Sequence, residues 1–147
     1  MKRYCLANYI LTADIPEDIG FGTQSVTVGG EGSYLDSISV KFNNNLFETT
    51  GDNTGSWVHT KNLNSTGTID VTLNQVSDKV AIFKALNNSY LALDSEASGL
   101  TLTLRDNLNN TLLIAEDCLI TTIPSQDFAA NPATQTWSFT CGKITFF

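Results

Sequence analysis

Two stretches decide the fold: SYLDSISVKF at residues 33–42 and GTIDVTLNQV at residues 67–76. Both alternate strictly between apolar and polar residues at their centres. Alternate side chains of a β-strand point to opposite faces of the sheet. We therefore expect the apolar set to face a core, and that set consists of Ile38, Val40, Phe42, Ile69, Val71 and Leu73.

The opposite face of this strand pair is polar but carries few long charged side chains. Its predicted members are Ser37, Ser39, Lys41, Thr68, Asp70, Thr72 and Asn74. Small hydroxyls and amides in place of lysine and glutamate are unusual for an ordinary outer surface. The assignment depends on register, because a slip of one residue would exchange the two faces.

A long connection, residues 43–64, joins the two strands. It is rich in Asn, Thr and Gly but also contains Phe47, Trp57 and Val58. Loops of this length without structure of their own are uncommon in compact domains. The sequence predicts either a β-hairpin extension or an arm that buries Phe47 and Trp57 on a neighbouring molecule.

Composition excludes several functional classes. The chain has 147 residues, of which 41% are hydrophobic and only 16% charged, and its net charge is −7. A general nucleic-acid binder needs a basic patch to displace counterions, so wrapping of DNA or of an anionic membrane is not expected. Uncharged polar surface is cheaper to bury against another protein than charged surface is, which hints at assembly. Alternatively, the many threonines simply suit strands.

The three cysteines, Cys5, Cys118 and Cys141, are too far apart for a CxxC motif. We expect synthesis in a reducing cytoplasm, with the thiols buried as small hydrophobic groups. No apolar run approaches the roughly 18 residues of a membrane span.

The remaining pattern predicts a mainly β domain. Strands are expected at residues 4–13, 25–28, 100–105, 111–120 and 136–141, and residues 143–147 close the chain with Ile144, Phe146 and Phe147. One helix is expected at about 77–91, with Ser77 as its cap and Asp78 in its first turn. The predicted fold is thus an antiparallel β-sandwich or small barrel, with one flanking α-helix and a long hairpin or arm at about 43–64. Residues 1–147 are expected to form a single domain.

Catalytic chemistry is not indicated. His59 is the only histidine, and no nucleophile pattern accompanies it. Glu116 and Asp117 are adjacent, so on a strand they point to opposite faces and cannot act together. The sequence predicts no enzyme, no catalytic residue, no cofactor and no metal site.

Taken together, the sequence resembles the tail tube proteins of contractile-tailed bacteriophages from about residue 25 to residue 147. The order and spacing of six segments carry the resemblance: Gly29–Gly32, Ser37–Val40, Gly51–Val58, Asn64–Leu73, Ile123–Pro124 and Thr136–Phe139. Ser77 and the predicted helix follow the fourth segment.

The resemblance implies a structural virion protein made in the bacterial host cytoplasm. Its subunits would form hexameric rings that stack into a tube, with the tape measure protein and later DNA inside and the sheath outside. Baseplate and tail terminator proteins would adjoin its ends, and the subunit itself would not bind membranes. Ser37, Ser39, Lys41, Thr68, Asp70, Thr72 and Asn74 would line the channel, and the arm with Phe47, Trp57 and Val58 would contact the next ring.

Two alternatives stay open at this point. A monomeric β-sandwich carbohydrate-binding module could use Trp57 and Trp137 as sugar platforms. Within the tube interpretation, a phage tail and a phage-derived bacteriocin or injection machine share the same sequence features.

Overall fold

The computed structural model describes residues 3–19, 25–30, 32–92 and 98–147. Glu31, within the glycine run quoted above, lies outside them. Short 3-10 helices span Leu6–Asn8 and Glu17–Ile19. The strands are β1 (Ile10–Asp14), β2 (Ser25–Val28), β3 (Leu35–Phe42), β4 (Phe47–Gly51), β5 (Trp57–Lys61), β6 (Gly67–Asn74), β7 (Leu100–Arg105), β8 (Thr111–Thr122) and β9 (Thr134–Phe146), and the helix α1 spans Asp78–Ala92.

Seven strands form one antiparallel sheet in the order β2-β1-β7-β8-β9-β6-β3. Strands β4 and β5 form a separate two-stranded sheet. The predicted mainly β, antiparallel fold with one helix is confirmed. Within the described residues β2 and β3 remain the two sheet edges, so the fold is sandwich-like and not a closed barrel.

The core lies where the apolar side of the sheet meets the helix. Ile69, Val71 and Leu73 on β6 are completely buried, as the alternation predicts. The Phe83 ring of α1 lies 5.6 Å from Trp137 and 5.5 Å from Phe139, both on β9. Burial of each such side chain contributes about 1.5–3 kcal/mol. The helix therefore anchors the middle of the sheet.

The helix begins as predicted. The Lys79 backbone N–H donates to Ser77 Oγ at 3.3 Å, and Asp78 occupies the first turn. The hydroxyl satisfies one of the free amides at the helix start, and the carboxylate complements the positive end of the helix dipole.

The predicted first strand, residues 4–13, is wrong at its beginning. Asn8 N–H donates to the Cys5 carbonyl at 3.1 Å, and Tyr9 N–H donates to the Leu6 carbonyl at 3.0 Å. These local bonds wind the chain into a 3-10 turn. The strand begins at Ile10, where pairing with Arg105 of β7 becomes available.

The last predicted strand, residues 136–141, is longer than expected, because β9 spans Thr134–Phe146. Strand β9 continues through Gly142, because Lys143 pairs with Glu116 just as Cys141 pairs with Cys118. The continuous pairing with β8 carries the strand past the glycine.

The expectation for the thiols is correct for Cys118 and Cys141, which are buried, and wrong for Cys5, which is exposed. Cys5 caps the start of the 3-10 helix and lies before the first strand. In the described part of the chain, no helix has the length and apolar character needed to cross a membrane.

Candidate assembly surfaces

The structure brings the seven predicted polar residues together on one face. Ser39 pairs with Asp70, Lys41 with Thr68 and Ser37 with Thr72 across β3 and β6. The β3 members are exposed and the β6 members are half-buried, whereas the alternate residues of β6 are buried. The register assumed from the sequence is therefore the observed one.

Strand β9 extends this polar face by a further row that the sequence analysis did not assign to it. Thr68 pairs with Thr140, Asp70 with Ser138, Thr72 with Thr136 and Asn74 with Thr134. The Thr/Ser alternation of residues 134–140 was the available signal, but only the β6–β9 pairing shows that it joins the same face. We call the surface formed by β3, β6 and β9 the hydroxyl face; its members are Ser37, Ser39, Lys41, Thr68, Asp70, Thr72, Asn74, Thr134, Thr136, Ser138 and Thr140.

Side chains of the hydroxyl face form hydrogen bonds with one another across neighbouring strands. Ser138 Oγ donates to Asp70 Oδ1 at 2.7 Å. The hydroxyls of Thr72 and Thr136 lie 3.0 Å apart. Thr140 likewise contacts Thr121 of β8. Lys41 and Asp70 are the two charged members, so the face has no net charge.

The long connection forms a β-hairpin. Phe47 pairs with Lys61, Thr49 with His59 and Gly51 with Trp57. Every residue of β4 and β5 is exposed. An isolated two-stranded hairpin is marginally stable in water. The predicted hairpin extension is thus confirmed, whereas burial of its aromatics on a neighbour stays a prediction.

The predicted arm residues divide between the two sides of this hairpin. Directly paired residues share a side and successive residues alternate. Phe47 and Trp57, which are 61% and 69% exposed, therefore lie on one side at opposite ends, with His59 between them. Val58, 57% exposed, lies on the other side opposite Thr50.

Asp52 organises the tip of the hairpin. Its Oδ1 accepts the Thr54 hydroxyl at 2.7 Å, the Thr54 N–H at 2.9 Å and the Ser56 N–H at 3.0 Å. Gly55 adopts φ +90°, which favours glycine. The bonds from Thr54, followed by the one from Ser56, lower the pKa of Asp52.

The base of the hairpin continues the β3–β6 edge of the sheet. Asn43 N–H donates to the Thr66 carbonyl at 3.0 Å, and Asn62 N–H donates to the Leu46 carbonyl at 2.8 Å. A side chain at Gly67 would collide with the Lys41 carbonyl and with Ile144, so the strands approach closely there. The hairpin is thus joined to the end of the strands that carry the hydroxyl face.

Trp137 and His59, which the sequence offers for binding or catalysis, both have structural roles instead. Trp137 is completely buried, so its predicted use as a sugar platform is wrong: its ring packs on Phe83. His59 Nδ1 lies 2.8 Å from Thr49 Oγ1, a cross-strand contact of the hairpin. The described residues contain no cluster of three or more His, Cys, Asp or Glu side chains able to hold a metal ion.

A family model described as Bacteriophage PhiTE tail tube protein matches residues 6–147. Together, the fold and this family match define the class of protein: it is a structural component of a bacteriophage tail. The chain belongs to the PhiTE tail tube protein family. The match also covers most of the N-terminal segment that the sequence resemblance left out. No curated protein sequence matches the chain.

Solved structures with the same fold come from contractile injection systems. A chain of the PVC sheath-tube complex in the extended state is 12% identical with a TM-score of 0.57, covering 97% of this chain and 90% of that one. A chain of the PVC sheath/tube terminator is 11% identical (TM-score 0.56; 99% and 96% covered). A chain of the 6-fold symmetrised anti-feeding prophage baseplate is 7% identical (TM-score 0.59; 100% and 97% covered). At such low sequence identities, this structural similarity establishes the fold alone.

Proposed function

We propose that this protein polymerises as stacked hexameric rings into the inner tube of a phage tail, whose channel houses the tape measure protein and then passes DNA. The observation that carries the proposal is the hydroxyl face, continuous across three strands, in a chain of the tail tube family. One structurally similar chain comes from a baseplate described as 6-fold symmetrised, which supports the ring number.

The hydroxyl face suits the lining of a channel. Its hydroxyls stay wet, and its two opposite charges give no net attraction for phosphate, which a basic face would retain. The overall charge of −7 adds weak repulsion. In this arrangement Ser37, Ser39, Lys41, Thr68, Asp70, Thr72 and Asn74 face the lumen, together with the hydroxyl row of β9.

The hairpin suits contact between rings. Phe47 and Trp57 present a large apolar surface on one side, and Val58 presents a smaller one on the other. Burial of apolar area against a neighbouring subunit stabilises association by about 25 cal/mol per Å². A hairpin clasped by the next ring would gain the packing that it lacks within its own subunit.

The proposed partners follow from the same arrangement. The sheath surrounds the tube, and baseplate and terminator proteins adjoin its ends, as the complexes named for the similar structures suggest. The protein is made in the host cytoplasm, acts without membrane binding by the subunit, and uses residues 1–147 as a single tail-tube domain.

Electron microscopy of the purified protein, combined with light scattering, tests this function. Rings or tubes are expected. The carbohydrate-binding alternative rests on the exposed Trp57 and predicts a dispersed monomer that binds glycans. A monomer at every concentration and salt condition tried would contradict the tube.

Trp57→Ala tests the role of the hairpin. The substitution removes the largest exposed apolar group on the Phe47 side, so polymerisation should fall at least tenfold, a change of about 1.4 kcal/mol per contact. Sedimentation of assembled material measures this. Thr60→Ala, on the other side of the same strand, is the matched control and should polymerise normally. Unchanged polymerisation of Trp57→Ala would refute the inter-ring role.

A further inference from the structure

The two buried cysteines face each other across neighbouring central strands. Cys118 of β8 is the direct partner of Cys141 of β9. Their Sγ atoms lie 2.8 Å apart, and the residues are 0% and 1% exposed. Neither is used by the hydroxyl face or by the hairpin.

This placement satisfies the backbone requirement of a disulfide. Directly opposed residues of antiparallel strands have Cα atoms about 4.5–5.5 Å apart. Disulfides bridge Cα separations of about 4.4–6.8 Å. Because both side chains already point into the core from paired positions, rotation of the side chains brings the sulfurs into bonding geometry without moving a strand.

We propose that Cys118 and Cys141 are a redox modification site that closes to an intrachain disulfide when the protein meets a small-molecule disulfide outside the reducing cytoplasm. The bond lies within one subunit, so it does not depend on tube assembly. Phage particles persist in oxidising surroundings, where disulfides survive. Cys5 is exposed and distant from both cysteines in the sequence, and it takes no part in this bond.

The chemistry balances in two exchange steps. The Cys141 thiolate attacks one sulfur of the small disulfide, forming a mixed disulfide and releasing one small thiolate. Cys118 loses its proton to that thiolate and attacks the Cys141 sulfur, releasing the second small thiolate, which takes up the proton that Cys141 gave to solvent. Two protein thiols are oxidised to one disulfide, and the small disulfide is reduced to two thiols.

The order of the steps follows from the contact between the sulfurs. The Cys118 thiol donates to Cys141 Sγ. This hydrogen bond lowers the pKa of Cys141 and, together with burial, raises the pKa of Cys118. Cys141 is therefore the first nucleophile and Cys118 the resolving thiol.

An irregularity beside the pair offers a route for the oxidant. Asp117 and Gly142, next to the two cysteines, are exposed. Asp117 adopts φ +55°, and β8 carries a bulge there relative to β7. A bulge disrupts the strand ladder locally, so opening at this point gives the oxidant access to the sulfurs. Since both sulfurs are buried before the strands open, oxidation should be slow.

Mass spectrometry of the purified full chain after incubation with oxidised glutathione tests the proposal. We expect a Cys118–Cys141 linked peptide with loss of two hydrogen atoms and no alkylation of either cysteine after unfolding, whereas the exposed Cys5 is recovered alkylated or as a mixed disulfide with glutathione. Because the bond closes a loop between residues 23 positions apart, Tm should rise by roughly 5–10 °C and return on reduction.

Two variants separate this site from other effects. Cys5→Ala should keep the oxidant-dependent rise in Tm, and Cys141→Ala should lose it. The proposal is overturned if Cys118 and Cys141 of the wild-type chain both remain alkylatable after prolonged oxidation, or if the linked peptide contains Cys5. The wild-type mass measurement decides the matter even where Cys141→Ala fails to fold.

Discussion

Phe83 joins the helix to the sheet through two aromatic contacts. Its ring meets Trp137 at an interplanar angle of 59° and Phe139 at 78°. Tilted and edge-on pairs of this kind add about 0.5–1.5 kcal/mol beyond the area that they bury. Because Trp137 and Phe139 alternate with Ser138 of the hydroxyl face, this packing also fixes the orientation of that face.

Phe83→Ala should lower the free energy of unfolding by about 3–5 kcal/mol, because the truncation leaves a cavity between α1 and β9. Urea denaturation followed by tryptophan fluorescence measures the change. Lys84→Ala, at the adjacent exposed position, should change stability by less than about 0.5 kcal/mol. A Phe83→Ala loss no larger than that of the control would show that this contact does not hold the helix.

At the scale of elements, the hairpin depends on its tip. Asp52 accepts three hydrogen bonds from Thr54 and Ser56, which favour its charged form. The folded pKa lies below the ordinary value of 3.8. Such a carboxylate stabilises the turn above its unfolded pKa, and the contribution disappears as the pH falls through the folded pKa.

The amide chemical shifts of Thr54 and Ser56 should therefore titrate with a midpoint below 3.8. NMR spectra recorded as the pH falls measure this. Asp52→Ala should abolish the titration and disorder the tip, whereas Glu48→Gln, on the same hairpin, should leave both unchanged. A midpoint at or above the ordinary value would contradict the role of the carboxylate in the turn.

The elements that could be predicted are those with a clean local pattern. Strands β3 and β6 follow from alternation, and α1 follows from apolar spacing with Ser77 at its start. The start of β1 could not be predicted, because local bonds around Cys5 and Leu6 compete with strand pairing. The extension of β9 beyond Cys141 could not be predicted, because the sequence does not show that Lys143 pairs with Glu116 of β8.

The candidate surfaces could likewise be predicted only where they depend on local sequence patterns. Alternation identified the hydroxyls of β3 and β6, but the row on β9 required the strand order, a long-range property. The sequence alone does not distinguish Trp57 from Trp137 as a possible sugar platform. The structure shows that Trp137 is buried against Phe83. The opposition of Cys118 and Cys141 depends likewise on the β8–β9 register.

In the whole molecule, the hydroxyl face, which has no net charge, lies on one side of the sheet, and the aromatic hairpin lies at its end. Contacts that join unlike surfaces of identical subunits generate either closed rings or open filaments. Lateral contacts that close a ring and hairpin contacts between rings would together produce a tube. In this arrangement we propose that the hydroxyl face lines the channel of the tube.

Adding positive charge to the hydroxyl face should make the tube hold DNA. Ser39→Lys places a new cation on the face in every subunit, so duplex DNA trapped during assembly should leave more slowly at low salt and rapidly at high salt. Release of fluorescent DNA from purified tubes measures this. Asn107→Lys, an equal charge change in the exposed turn before β8, should release DNA as the wild type does. Equal release by both variants would contradict a lumenal Ser39.

Cryo-electron microscopy of the assembled wild-type protein can show directly whether the hydroxyl face lines the channel. We expect hexameric rings stacked into a tube, with the side chains of Ser37, Ser39, Thr68 and Thr72 pointing into the channel. A tube in which these side chains lie on the outer surface, or are packed within the wall between subunits, would contradict it.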